Sequence, residues 1–157
     1  MQVERATAAD VPALAEVWHA GWHEGHAAAA PPELVATRIP AEFEERLGRW
    51  WPNTFVMRCP EGDVAGFFIL NEDELYQFYV ATRFHGQGVA KTLMEAAEAA
   101  LAPRRAWLAC ALDNRRAARF YEKCGWVRTR VEPYATESAQ GPVTLDIGRF
   151  EKDLSGS

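Results

Sequence analysis

The chain has 157 residues, 48% of them hydrophobic and 25% charged, with a net charge of −5. That length buries one core without metal or disulfide staples, and the acidic balance argues against a nucleic-acid partner. Cys59, Cys110 and Cys124 are too widely spaced for a disulfide framework or a zinc knuckle. No apolar run approaches membrane-spanning length and no signal-peptide pattern opens the chain, so a cytoplasmic protein with reduced thiols is expected.

Residues 1–5 alternate as a short strand, and Thr7-Ala8-Ala9-Asp10 resembles a capping box at a helix start. The first helix carries Val11, Leu14, Trp18 and Trp22 on one face, with Gly21 and Gly25 expected to weaken it. After Pro31-Pro32, residues 33–51 read as one or two helical pieces interrupted at Pro40. Residues 54–59 and 64–70 form a hairpin around Glu61-Gly62-Asp63, and Asn71-Glu72-Asp73 turns into an aromatic and β-branched strand at 75–80. A helix at 90–102, a strand at 106–112 and a second helix from Asn114 follow. Strands at 127–132 and 143–151 close the domain, with 133–142 as a polar connection and 154–157 as a loose tail. A single domain over 1–153 is expected, an α/β fold with helices on both faces of a mixed, mostly antiparallel sheet of about seven strands.

The segment Arg83-Phe84-His85-Gly86-Gln87-Gly88-Val89-Ala90 joins strand to helix through two glycines. Such a turn presents free backbone N–H groups at a positive helix end, where phosphate oxygens bind. A Walker loop is excluded because His85 and Ala90 stand where its glycines must be. A dinucleotide fingerprint would need glycine in place of Lys91. The Arg-x-x-Gly-x-Gly pattern instead resembles the acyl-CoA pyrophosphate loop of the GNAT (GCN5-related) N-acetyltransferase family. A second motif, Asn114 to Trp126, carries Asn114, Ala117 and Phe120-Tyr121 before Gly125-Trp126, where the family has Gly-Phe. Both occur in the family's order, and the resemblance extends over roughly residues 1–150.

The resemblance implies an N-acyltransferase that passes an acetyl group from acetyl-CoA to a primary amine within a ternary complex. Arg83, His85, Gly86, Gln87, Gly88, Val89, Ala90 and Lys91 would then hold the pyrophosphate. The main chain of Phe78, Tyr79 and Val80 would bind the pantetheine arm, which lies between two splayed parallel strands in this family. Asn114 and Ala117 would contact that arm too, although Asn114 also suits a helix cap. Tyr121 would protonate the leaving thiolate, since a phenol remains protonated at pH 7. Glu74, at the start of the central strand, would serve as the base, with an exposed strand-end charge as the competing reading.

His19, His23 and His26 share one face of the first helix. In GNAT proteins this helix walls the acceptor pocket, so Trp22, His23 and His26 are expected to line it; helix surface and a zinc site are the other readings. A further possible wall is Glu74, Trp107 and Tyr134. The acidic turn at 71–74 would suit a cationic amine. No metal is expected, and the partners are a small-molecule or peptide amine, with a homodimer possible and no membrane. The competing function is a non-catalytic acyl-CoA-binding module.

Overall fold

The computed structural model describes residues 1–28 and 30–156. Its strands are β1 (Val3–Arg5), β2 (Thr54–Arg58), β3 (Val64–Asn71), β4 (Glu74–Val80), β5 (Arg105–Ala111), β6 (Val127–Thr136) and β7 (Val143–Asp153). Its α-helices are α1 (Val11–His26), α2 (Pro32–Thr37), α3 (Pro40–Trp50), α4 (Val89–Leu101) and α5 (Arg115–Lys123). The strands form one sheet in the order β1-β2-β3-β4-β5-β7-β6, in which only β4 and β5 run parallel.

Residues 64–69 of β3 are all buried because helices cover both faces of the sheet, as an unbroken apolar run demands. Phe67 and Ile69 point into a cluster with Trp18, Phe43 and Leu47 under α1 and α3. Phe68 points the other way, into a cluster with Leu93, Leu108, Trp126 and Phe150 under α4 and α5. Trp18 is fully buried, 5.3 Å from the Phe43 ring and 6.1 Å from that of Phe67. Burying a side chain of this size is worth about 2–3 kcal/mol.

Three features of the fold differ from the expected elements, and one, the division at Pro40, follows them. First, α1 runs unbroken through both glycines to His26. A Cβ on Gly21 would stand 2.3 Å from the Tyr79 ring, and one on Gly25 would stand 3.0 Å from Asn114 Nδ2. These glycines lower helix propensity but let α1 lie directly on β4 and the start of α5. Second, residues 33–51 divide into two helices, because Pro40 starts α3 at its first turn while Ile39 stays extended before it. Third, β6 continues through Tyr134 to Thr136 in what reads as a polar connection. Pro133 is tolerated there because β6 is the sheet's edge and its outer side needs no N–H donor. Fourth, Leu154 is 1% exposed, belongs to the core, and donates its N–H to the Arg104 carbonyl at 3.0 Å.

Candidate active site

Strands β4 and β5 share a single register pair, Glu74 with Trp107, whereas β5 and β7 stay paired from Arg105–Asp153 to Ala111–Ile147. Beyond Glu74 the β5-facing main chain of β4 therefore lacks a ladder partner, and the sheet opens towards Phe78, Tyr79 and Val80. On its other side β4 remains paired with β3 through these same residues, which holds the open edge rigid.

The glycine loop stands at the end of β4. Gly86 and Gly88 both take left-handed backbone, with φ of +78° and +79°, and a Cβ on either would meet nothing within 4 Å. Their open side thus faces no protein, and glycine is favoured here for its φ as well as for the clearance it leaves. Gly88 is the N-cap of α4 and no side chain caps that end, so the first N–H groups of the helix, from Val89, Ala90 and Lys91, project unclaimed by the helix itself. The Lys91 side chain is exposed on this first turn. These features fit a pyrophosphate. The loop is braced from within: His85 Nε2 lies 3.0 Å from the Val80 carbonyl, and Gln87 Nε2 donates to the Arg83 carbonyl at 2.9 Å. Arg83, expected on the phosphates, instead pairs with Asp63 at 2.8 Å and lies over the Phe84 ring.

On the same face, α5 crosses the open edge. Asn114 caps it, accepting from the Ala117 N–H at 3.2 Å, so the capping role is real. Tyr121 packs between Phe120 and Phe150, with centroids 5.8 and 5.9 Å away. Its hydroxyl makes no hydrogen bond among the described residues. Burial pushes this phenol well above its ordinary pKa, and Cys110 on β5, Tyr79 on β4 and Cys124 at the end of α5 act in the same direction. Tyr121 is thus a protonated donor beside the gap. Cys110 is buried and pushed up to about 11, chiefly by that burial, so it is a thiol rather than a nucleophilic thiolate at neutral pH.

The opposite face of the gap holds a cavity of about 300 Å³. Trp22 and His26 line it from α1, Leu34 and Arg38 from the α2 region, Gln77 from β4, Ala109 and Ala111 from β5, and Tyr134 and Thr136 from β6. Asp113 and Asp146, both exposed, bring carboxylates to its lining. His26 stands 5.7 Å from Trp22, and burial lowers its pKa despite the opposing influence of Asp113, keeping the ring neutral at pH 7. His23 is not in the cavity; its Nε2 lies 2.8 Å from the Arg38 carbonyl and fastens α1 to the end of α2. His19 packs edge-on against Phe43 and tilted against His23. Among the described residues no three His, Cys, Asp or Glu side chains are grouped to hold a metal ion.

Behind the cavity floor lies an ion network that periodicity does not reveal. Arg38, Glu42 and Arg46 are buried; Glu42 pairs with Arg38 and lies 3.6 Å from Arg46. Arg38 also donates to Thr136 at 3.1 Å, and Arg46 reaches Tyr76 at 3.2 Å and Glu137 at 3.5 Å. The three residues lie four apart along the chain, the spacing of neighbours on a helix face, which reads in sequence as an exposed charged surface.

Glu74 is 5% exposed and its Oε2 accepts from the Tyr134 hydroxyl at 2.6 Å. Desolvation raises its pKa from the ordinary carboxylate value, against the lowering influence of Tyr134, Asn71 and Arg149. It is not an exposed strand-end charge, nor does it line the cavity; Tyr134 stands between. The rest of the acidic turn points elsewhere, with Asp73 beside Arg104 at 3.6 Å, and the carboxylates at the cavity are Asp113 and Asp146.

The architecture is a seven-stranded α/β sheet opened between two parallel strands, with a glycine-capped helix at the opening. The chain belongs to the acetyltransferase (GNAT) family, whose model matches residues 16–126. Its fold is similar to a GCN5-related N-acetyltransferase from Rhodopseudomonas palustris, with 22% identity, 98% of this chain and 95% of that one covered, and a TM-score of 0.74. It is also similar to the PaiA N-acetyltransferase from Thermoplasma acidophilum in complex with coenzyme A, with 20% identity, 97% and 98% covered, and a TM-score of 0.73. The acetyltransferase YncA from Salmonella typhimurium, solved with acetyl-CoA, is 17% identical over 98% and 94% of the two chains, with a TM-score of 0.69. No curated protein sequence matches the chain significantly. No helix among the described residues is long and apolar enough to cross a membrane.

Proposed function

We propose that the chain acetylates a small primary amine, using acetyl-CoA as donor and direct attack of the amine on the thioester. The observation that carries this reading is the gap between β4 and β5, which joins two differently furnished faces. On one face stand the uncapped N-terminus of α4, the cap of α5 and Tyr121; on the other lies a half-open cavity with carboxylates in its lining. Donor and acceptor enter from opposite sides and meet in the opening, so no covalent enzyme intermediate is needed, and the raised Cys110 supports that route.

Each residue has a defined task. The amides of 88–91 hold the pyrophosphate, and the β4 main chain at Phe78, Tyr79 and Val80 holds the pantetheine amides in place of a neighbouring strand. A β4 N–H pointing into the opening stabilises the developing oxyanion. Tyr121 holds the proton that the departing sulfur needs. Glu74 takes up the proton lost by the amine. Asp113 and Asp146 favour a cationic acceptor, and about 300 Å³ suits a small molecule better than a folded protein surface.

The test is thiol release from acetyl-CoA across a panel of primary amines, with binding of acetyl-CoA followed by calorimetry. Wild type should turn over a small cationic amine. Gly88→Asp should lose acetyl-CoA affinity by roughly 100-fold or more while still folding, because an acidic side chain then occupies the open side of the loop. Unchanged affinity in that variant refutes the loop assignment. Binding without turnover across the panel would leave a non-catalytic acyl-CoA module.

A further inference from the structure

Glu74 and the cavity are separated by one side chain. The carboxylate is 5% exposed and absent from the cavity wall, whereas Tyr134, which lines the cavity, donates its hydroxyl to Glu74 Oε2 at 2.6 Å. The arrangement is locked from several sides. Tyr134 pairs with Leu145 across β6 and β7, and its ring meets the Trp107 edge at 6.2 Å. Trp107 is held in turn by the Arg149 guanidinium, 4.1 Å above its ring, and by the register pair with Glu74 itself. A base that cannot touch its substrate needs a conductor, and among the described residues Tyr134 both lines the cavity and hydrogen-bonds Glu74.

We propose that Tyr134 is the group that contacts the acceptor amine, relaying its proton to Glu74. The inference rests on the acetyltransferase reading above. In the step, the substrate ammonium donates to Tyr134 Oη. As that N–H breaks and a new O–H forms, the original phenolic proton passes to Glu74 Oε2. The products are a neutral amine with a free lone pair, a neutral phenol and a neutral carboxylic acid, so charge and protons balance.

Tyr134 cannot be the terminal base, because burial and the facing Glu74 carboxylate push its phenol far above its ordinary pKa. Glu74 can, since its Oε2 faces the phenolic proton at 2.6 Å and desolvation raises its pKa from the ordinary value. The remaining ionisable groups that act on the pair are Arg149 on β7, Arg46 on α3 and Tyr76 on β4. Burial pushes Tyr76 up to about 12, so it stays a neutral phenol across the neutral range.

The experiment compares kcat/KM for the amine between pH 6 and 10 in wild type, Tyr134→Phe and Glu74→Gln, alongside acetyl-CoA affinity and melting temperature. Wild type should depend only shallowly on pH below the amine's own pKa, because the Tyr134–Glu74 pair takes up the ammonium proton there. Tyr134→Phe should lose about 100-fold at pH 7 and climb tenfold per pH unit until the free amine predominates, with acetyl-CoA affinity unchanged. Glu74→Gln keeps an acceptor for the Tyr134 proton but not a base, and should give the same slope. The double variant should be no slower than either alone. A wild-type pH profile in Tyr134→Phe, whatever its rate, overturns the relay while leaving the acetyltransferase intact. A wild type without turnover on any amine overturns both.

Discussion

On the α4–α5 face, the site is made mostly of backbone: a left-handed Gly88, an uncapped helix end, an Asn114 cap and unpaired strand amides. On the α1–α3 face it is made of side chains drawn from six elements and set against a buried network of Arg38, Glu42 and Arg46. A backbone site asks only for glycine, a cap and the right turn, so any chain that makes the turn binds the same phosphate. A side-chain site depends on which residues the packing brings together, and that is where acceptor choice resides.

The contrast can be broken most forcefully at Glu42. Replacing it with Leu leaves two buried guanidinium groups without their shared carboxylate, which should cost about 3–5 kcal/mol. Thermal unfolding should then fall by roughly 10 °C, and a change within a degree or two would mean that the network is dispensable. On the donor face, Tyr121→Phe keeps the ring contacts with Phe120 and Phe150 but removes the proton. Turnover should drop on the order of 10²-fold with acetyl-CoA affinity retained. Pre-steady-state kinetics showing wild-type chemistry would remove Tyr121 from the mechanism.

The boundary between the faces is probed by Gly21→Ala. Alanine improves helix propensity by about 1 kcal/mol, yet its Cβ meets the Tyr79 ring at 2.3 Å, and overpacking of this kind costs about 1–3 kcal/mol. A net loss in denaturant unfolding is expected, and a gain would show that α1 has room to spare. The smallest effects separate two histidines. His26→Ala should raise the acceptor KM about fivefold, roughly 1 kcal/mol. His23→Ala should leave KM alone and lower stability by about 1 kcal/mol, through the lost contact with the Arg38 carbonyl. Equal KM effects in the two variants would contradict the cavity as described.

That last pair shows where the sequence stops being readable. His23 and His26 share a helical face, and the three-position step from one to the other turns the first toward the Arg38 carbonyl and the second into the cavity. The outcome depends on where α2 lies, which no local pattern records. Tyr134 suffers the same ambiguity, since Pro133 marks a break to any local reading and only the edge position of β6 makes it harmless. Leu154 reads as tail because its partners, such as the Arg104 carbonyl, come from a turn some fifty residues earlier. Asp113 and Asp146 are ordinary surface acids until β5 and β7 bring them to one cavity.

By itself the sequence determined the mixed α/β order, the glycine turn into α4, the Asn114 cap and Tyr121 beside the opening. Each of these is encoded within a few residues: a required φ, a cap three positions from its N–H, a strand next to its helix. The cavity beside β4 and β5, the burial of Glu74 behind Tyr134 and the Arg38–Glu42–Arg46 network were decided only in the tertiary structure. They depend on distances between elements far apart in the chain, and on a dielectric environment that exists only once those elements have packed.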